Sequence, residues 1–306
     1  MSFERIADFA PLDADAPRGQ VPDALAPCFA TAAATGLDLF AVAEAARFPN
    51  LPERLAAEGL RHRCLFTGHW AAEFGHVAPW LVQLDPADAV FAALLTRSDQ
   101  PWHHFDDQSA LLLWSDRSLT ELHRHLRRLP RLYRDDGTVL LFRYWERDIV
   151  PIALRTEAEM MAPFVFGSVV QMVLAFGPDG PVVCRPGPEA AGMRGKLILT
   201  PRLHDAFADF AQRTYWDKLA GQLRAAGLTP ADIQAFRDAT VLAGFSDRDG
   251  VRKLAHLRLV VGPNLLTQDW AVHDLAETAG LPEDIRVDCL ANAARDRGLI
   301  DVDAVI

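Results

Sequence analysis

The feature that most limits the fold of this chain is a change of texture near residue 195. From Leu39 to Cys184, short apolar runs of strand length alternate with segments of helical period; beyond residue 195 the strand signals stop. A chain that alternates strands and helices and then turns purely helical predicts an α+β or mixed α/β fold. Its N-terminal lobe is a mixed β-sheet with flanking helices, and its C-terminal lobe is all helical. The division expected is a leader over residues 1–36, an α/β domain over 37–188 and a helical lobe over 196–306, with Pro186, Gly187, Pro188, Gly192 and Gly195 marking the linker.

Within the first lobe, Leu39–Ala43, His62–Phe66, Ala78–Leu84 and Leu111–Trp114 read as strands. Pro52–Glu58 and Ala87–Thr96 read as helices, and 22–34 in the leader as one short helix. The clearest local signal is Ser118-Leu119-Thr120-Glu121, a capping box in which hydroxyl and carboxylate satisfy each other's free amides. It is followed by Leu122, Leu126 and Leu129 on one helical face. Asp135-Asp136-Gly137 turns a hairpin between Arg131–Arg134 and Thr138–Trp145, and a second hairpin joins Val169–Phe176 to Val182–Cys184. In the last third, Thr200-Pro201 and Thr229-Pro230 each open a helix with a cap and a proline in the first turn. Further helices are expected near 249–261, 267–279 and 283–297.

Composition excludes more than it identifies. The net charge of -10 argues against nucleic acid as a partner, since phosphate binding needs a positive field. No run reaches the roughly 18 apolar residues that span a bilayer, and the N-terminus lacks the pattern of a signal peptide, so a cytoplasmic protein with no membrane span is expected. Cys28, Cys64, Cys184 and Cys289 are too scattered for a zinc knuckle or a redox pair. Nucleophile-elbow, phosphate-loop and dinucleotide-binding motifs are absent, so neither catalytic residue, metal nor cofactor is expected. The one competing enzyme reading is a metal-dependent hydrolase built on His103, His104, Asp106 and Asp107; solvated surface histidines explain the same residues more simply. His123 and His125, two residues apart, point to different sides of a helix and make no metal pair.

Five of the seven tryptophans, Trp70, Trp80, Trp102, Trp114 and Trp145, fall in the first lobe. Most are expected in the core and one or two on a partner groove, because tryptophan both dominates burial and anchors interfaces. The basic run Arg124, Arg127, Arg128, Arg131 and Arg134 is either a solvated face opposite the leucines or a grip for an acidic partner segment.

One set of segments carries a resemblance: Leu39-Phe40-Ala41-Val42 with Glu44-Ala45-Ala46, Ala78-Pro79-Trp80-Leu81-Val82-Gln83-Leu84, Ser115 leading into Leu119 and Leu122, and Phe142-Arg143-Tyr144-Trp145-Glu146-Arg147-Asp148-Ile149-Val150 after the Asp136-Gly137 turn. In this order they resemble the effector chaperone or adaptor family of bacterial type VI secretion. The resemblance covers about a third of the chain, from 39 to 150; the helical last third is similar only to the family's variable second lobe. Where the family usually reads Asp-Gly-Ala this chain has Glu44-Ala45-Ala46, and where it reads Asp-Pro-Arg this chain has Glu146-Arg147-Asp148. The resemblance implies a non-enzymatic cytoplasmic carrier whose partners are a toxic effector and the VgrG-type spike protein. An acidic cytoplasmic immunity protein is the remaining alternative. On this reading a groove lined by Trp80, Trp114, Tyr144 and Trp145 takes the partner, with Arg124, Arg127, Arg128, Arg143 and Arg147 supplying polar contacts. Arg143 has a structural alternative, a pairing with Glu146 or Asp148.

Overall fold

The computed structural model describes residues 1–300 except 108–109, 147, 178, 188–189 and 191–194. Seven strands form one sheet: β1 (Ser2–Arg5), β2 (Asp38–Glu44), β3 (His62–Cys64), β4 (Pro79–Leu84), β5 (Ala110–Ser115), β8 (Met172–Gly177) and β9 (Gly180–Arg185). Their spatial order is β1-β9-β8-β5-β2-β4-β3. The sheet was expected to be mixed; each of its pairings is antiparallel. A separate two-stranded ribbon pairs β6 (Arg131–Tyr133) with β7 (Val139–Leu141). The Asp-Gly turn joins these two strands, with Gly137 at φ 85° and the Asp136 carboxylate accepting from the Thr138 amide at 2.8 Å.

The alternation of side chains across the sheet explains why its central strands read as unbroken apolar runs. Phe40 and Val42 of β2 enter one core, together with Leu81, Leu111, Leu113 and Val173. Leu39, Ala41 and Ala43 enter the other, with Val82, Leu112, Trp114 and Leu174. Helices cover both faces, so β2 has no solvent side to mark with polar residues. On the second face lie α1 (Ala26–Ala34), α2 (Leu51–Ala57) and α4 (Ala89–Leu95). On the first lie α5 (Leu119–Leu126), α6 (Ile149–Thr156) and α7 (Ala158–Val165). The short helix α3 (His69–Phe74) buries none of its residues. The capping box of α5 is formed in full, and Leu119, Leu122 and Leu126 are its buried residues.

Residues 1–36 are more structured than a leader. The expected short helix is present as a 3-10 turn at Asp23–Leu25 running into α1, and β1 closes one edge of the sheet by pairing with β9. Part of the proposed linker, 188–189 and 191–194, lies outside the described residues.

The chain divides into two compact units, Met1–Phe207 and Ala208–Ile306. The boundary falls inside α8 (Pro201–Ala225), about a dozen residues beyond the change of texture in the sequence. The second unit contains α9 (Pro230–Leu242), α10 (Arg248–Val261), α11 (Asp269–Glu277) and α12 (Glu283–Asp296), packed around Phe236, Leu254, Leu257, Val287 and Leu290. The Thr229 cap of α9 is a second complete capping box, closed by Asp232. Two buried arginines act as struts in this unit: Arg286 donates to the carbonyls of Ala243 and Gly244, and Arg258 to that of Pro263. Among the described residues no helix is long and apolar enough to cross a membrane.

Candidate functional site: a basic cleft beside an apolar one

The structure separates the proposed partner residues into three groups. Trp114, Tyr144 and Trp145 are each 1% exposed and belong to the core, so the expectation that they line a partner groove is corrected. Trp114 faces the α1 side of the sheet, with its ring edge-on to Phe29; Tyr144 and Trp145 pack against each other at 5.3 Å on the opposite side. A large aromatic in a strand or turn has the same sequence signature whether it fills a core or a groove, and here the space inside the sheet layers took it. Burial raises the pKa of the Tyr144 hydroxyl. Trp80 is half-buried; its indole N–H donates to the Gly75 carbonyl at 2.9 Å and fastens the turn between α3 and β4.

Arg143 is tied into an ionic knot. Its Nη2 donates to both oxygens of the buried Glu44 carboxylate at 2.7 Å and lies 2.9 Å from Glu146. Arg47 completes the knot, with Nε 3.4 Å from Glu44 and Nη2 3.4 Å from Glu146. The two acids and two bases balance, and the Glu44–Arg143 contact joins the end of β2 to the Phe142–Glu146 segment. The alternative reading of Arg143 as a structural arginine paired with Glu146 is therefore the observed one. Arg147 lies outside the described residues.

Arg124, Arg127 and Arg128 are exposed. Arg124 stands apart, but Arg127 and Arg128 line a cleft of about 460 Å³ with Arg131, Lys196, Thr67, Tyr133 and Phe164. The cleft forms where α5 ends at Leu126: Arg127 and Arg128 follow in the turn, and Arg131 opens β6. Lys196 arrives from the far end of the linker, where its ammonium sits 4.7 Å from the Tyr133 ring. Parallel pairing fixes that approach: the Tyr133 amide donates to the Leu197 carbonyl, and the Leu199 amide to that of Tyr133. Among the described residues Arg127, Arg128, Arg131 and Lys196 have no carboxylate partner.

A second cleft, about 330 Å³, adjoins the first and shares Thr67, Arg127 and Arg131 with it. Its other walls are apolar: Leu65, Phe66, Trp70, Pro130 and the whole of β7. Trp70 is 62% exposed, and Val139 and Leu141 are each 54% exposed. Sequence reasoning offered Arg131 as part of a grip for an acidic segment, counted Trp70 among tryptophans divided between core and groove, and gave Lys196 and the second strand of the hairpin no part in a site. These residues come from four separate segments, and no local pattern announces that they meet.

The two histidines of α5 diverge as their spacing requires. His123 bonds the Cys64 carbonyl and His125 that of Val165. Desolvation lowers the pKa of both, which leaves neutral rings as the structural form. The 103–107 cluster also does not converge. His103 bonds Ser98, His104 bonds Asp107 and stacks on Phe48, and Asp106 pairs with Arg97. Among the described residues no group of three or more His, Cys, Asp or Glu side chains is placed to hold a metal ion.

The module is thus a sheet covered by helices on both faces, with a cationic cleft beside an apolar one on its surface. Comparison with known families gives that module a context. The family model described as a domain of unknown function, DUF4123, matches residues 39–160, from β2 to the first turn of α7. That family is associated with type VI secretion. Neither a curated protein nor a solved structure matches the chain.

Proposed function

We propose that this chain is a cytoplasmic adaptor that binds a type VI secretion effector and hands it to the VgrG-type spike protein, and that it is a carrier without catalytic activity. The observation that carries the reading is the family match over 39–160, which contains both segments that most resemble the adaptor family, Ala78–Leu84 and Phe142–Val150. The structure adds physical support. The Leu39–Ala46 and Phe142–Val150 segments meet through Glu44 and Arg143, so the resemblance follows one connected piece of architecture. The surface of that unit offers unpaired cations and exposed aromatic area, the chemistry of a protein–protein contact.

The test is co-expression with the toxin and the spike protein encoded in the same gene neighbourhood. The chain is expected to co-purify with both. Its deletion is expected to abolish toxin export while leaving toxin synthesis intact. Export that continues unchanged without the chain would refute the adaptor role. A stoichiometric metal in the purified protein, with hydrolytic activity that its removal abolishes, would replace the role with the hydrolase reading.

A further inference from the structure

We propose that the two adjoining clefts form one docking site for a single extended segment of a partner protein, an acidic stretch next to an apolar or aromatic anchor. The inference rests on the adaptor reading and names the chemistry of the segment that is gripped.

Three observations lead to it. First, Arg127, Arg128, Arg131 and Lys196 converge on one cleft with no carboxylate of this chain among the described residues to neutralise them, although the chain as a whole has a net charge of -10. Four like charges held together raise the local potential and select an anionic occupant. Second, the neighbouring cleft shares Thr67, Arg127 and Arg131 and is otherwise apolar, so an occupant that fills both presents carboxylates to the first cleft and greasy side chains to the second. The exposed indole of Trp70, with the Phe66 ring 6.2 Å away, offers a face for an anchor residue. Third, β7 is the last strand of its ribbon, and it forms a wall of the apolar cleft along its whole length. An open strand edge is a template for an extended chain. A nucleic acid fits less well: the net charge of -10 repels a polyanion beyond the cleft itself, and a phosphate seated against Leu65, Pro130, Val139 and Leu141 would lose its water without gaining a partner.

The mechanism divides the labour. The cations draw the segment in and set its register, and their contribution falls as salt rises. The apolar cleft supplies lifetime, because buried contacts govern dissociation. The ionic knot of Glu44, Arg47, Arg143 and Glu146 takes no part.

The test uses the full chain and two fluorescent peptides of equal length. One carries a Phe-Leu anchor followed by four glutamates, and the other the same anchor followed by four lysines. The proposal expects saturable binding of the glutamate peptide, weakened about tenfold or more by the Arg127→Glu/Arg128→Glu/Arg131→Glu triple variant and also by Trp70→Ala/Leu141→Ala. All five side chains are exposed, and an unchanged circular dichroism melt confirms that the variants fold. A lysine peptide that binds as well, or a glutamate peptide unaffected by either variant, overturns the proposal. Labelled duplex DNA that binds more tightly than the glutamate peptide overturns it too. The same triple variant is then tested for capture of the co-expressed toxin. Capture by wild type and variant alike leaves the adaptor role standing and removes this site from it. If the wild type captures no toxin, the adaptor role falls, and the peptide measurements still decide whether the clefts recognise acidic segments.

Discussion

Removing Arg143 is expected to cost more than removing the charge it neutralises. Glu44 is 5% exposed, and both its oxygens accept from Arg143. Deleting one partner of a buried ion pair costs roughly 3–5 kcal/mol, because the other charge is left without compensation. Two features of the knot reduce that figure. Arg47 remains 3.4 Å from Glu44, and the Arg143 side chain is 38% exposed, so water already screens part of the pair. Arg143→Ala is therefore expected to destabilise the first unit by about 2 kcal/mol. Glu44→Gln keeps the volume and leaves Arg143 paired with Glu146 at 2.9 Å, for an expected cost of about 1 kcal/mol. The double variant Arg143→Ala/Glu44→Gln should cost less than the two single changes together, since no buried carboxylate is then stranded. The assay is native-state amide hydrogen exchange on peptides from β2 and β5, which reports the first unit separately from the helical one. Exchange through unfolding of that unit should accelerate about thirtyfold in Arg143→Ala. If Glu44→Gln exchanged faster than Arg143→Ala, or the double variant matched the sum, the carboxylate would not be the costly member of the pair.

Other perturbations test other parts of the argument. Leu122→Ala removes a fully buried side chain from the α5 face and is expected to cost about 3 kcal/mol in urea unfolding of the first unit. Ser118→Ala breaks the capping box and is expected to cost about 1 kcal/mol by the same measurement, with no change in secondary structure by circular dichroism. His125 is harder to protonate folded than unfolded, because burial disfavours the imidazolium. Unfolding at low pH therefore takes up a proton. The contribution of the neutral ring is complete above the unfolded pKa of about 6.5 and drains away as pH falls below it. A stability profile from pH 8 to pH 5 should fall less steeply in His125→Gln, and the slope that remains should include His123, which is shifted in the same direction. A profile identical to the wild type would show that His125 has no role in it.

Sequence alone revealed the elements whose cause is local. The apolar runs of β2, β4 and β5, the Ser118–Glu121 box, the Asp136-Gly137 turn and the Thr-Pro helix starts each depend on neighbours within a few residues, and each is where the pattern placed it. Elements whose cause is distant were not legible. Ser2–Arg5 becomes a strand because it meets Val182–Arg185, some 180 residues away, and nothing within those four residues says so. Helices α6 and α7 hide behind Pro151 and Pro163, and behind apolar residues on nearly every side. The candidate site divides in the same way. Arg127 and Arg128 were visible as a basic run, whereas Lys196, Trp70 and Leu141 join them only through tertiary structure. The aromatics were misjudged for a related reason: Trp114, Tyr144 and Trp145 have the interface-forming side chains, but only the packed layers decide which side of the surface they occupy.

The edge-to-edge order of the large sheet bears on how this protein can be divided. The segment matched by the family model supplies β2, β3, β4 and β5; β1, β8 and β9 lie outside it. A fragment cut at residues 39 and 160 would expose the flank of β5, where Leu112, Leu113 and Trp114 pair with Leu174, Val173 and Met172. A bare, apolar strand edge of that kind recruits other chains, so such a fragment is expected to aggregate. The matched stretch is thus shorter than the sheet it belongs to. The piece that keeps the β1 edge, the Leu197 and Leu203 core contacts and the Lys196 side of the cleft together runs from Met1 to Phe207.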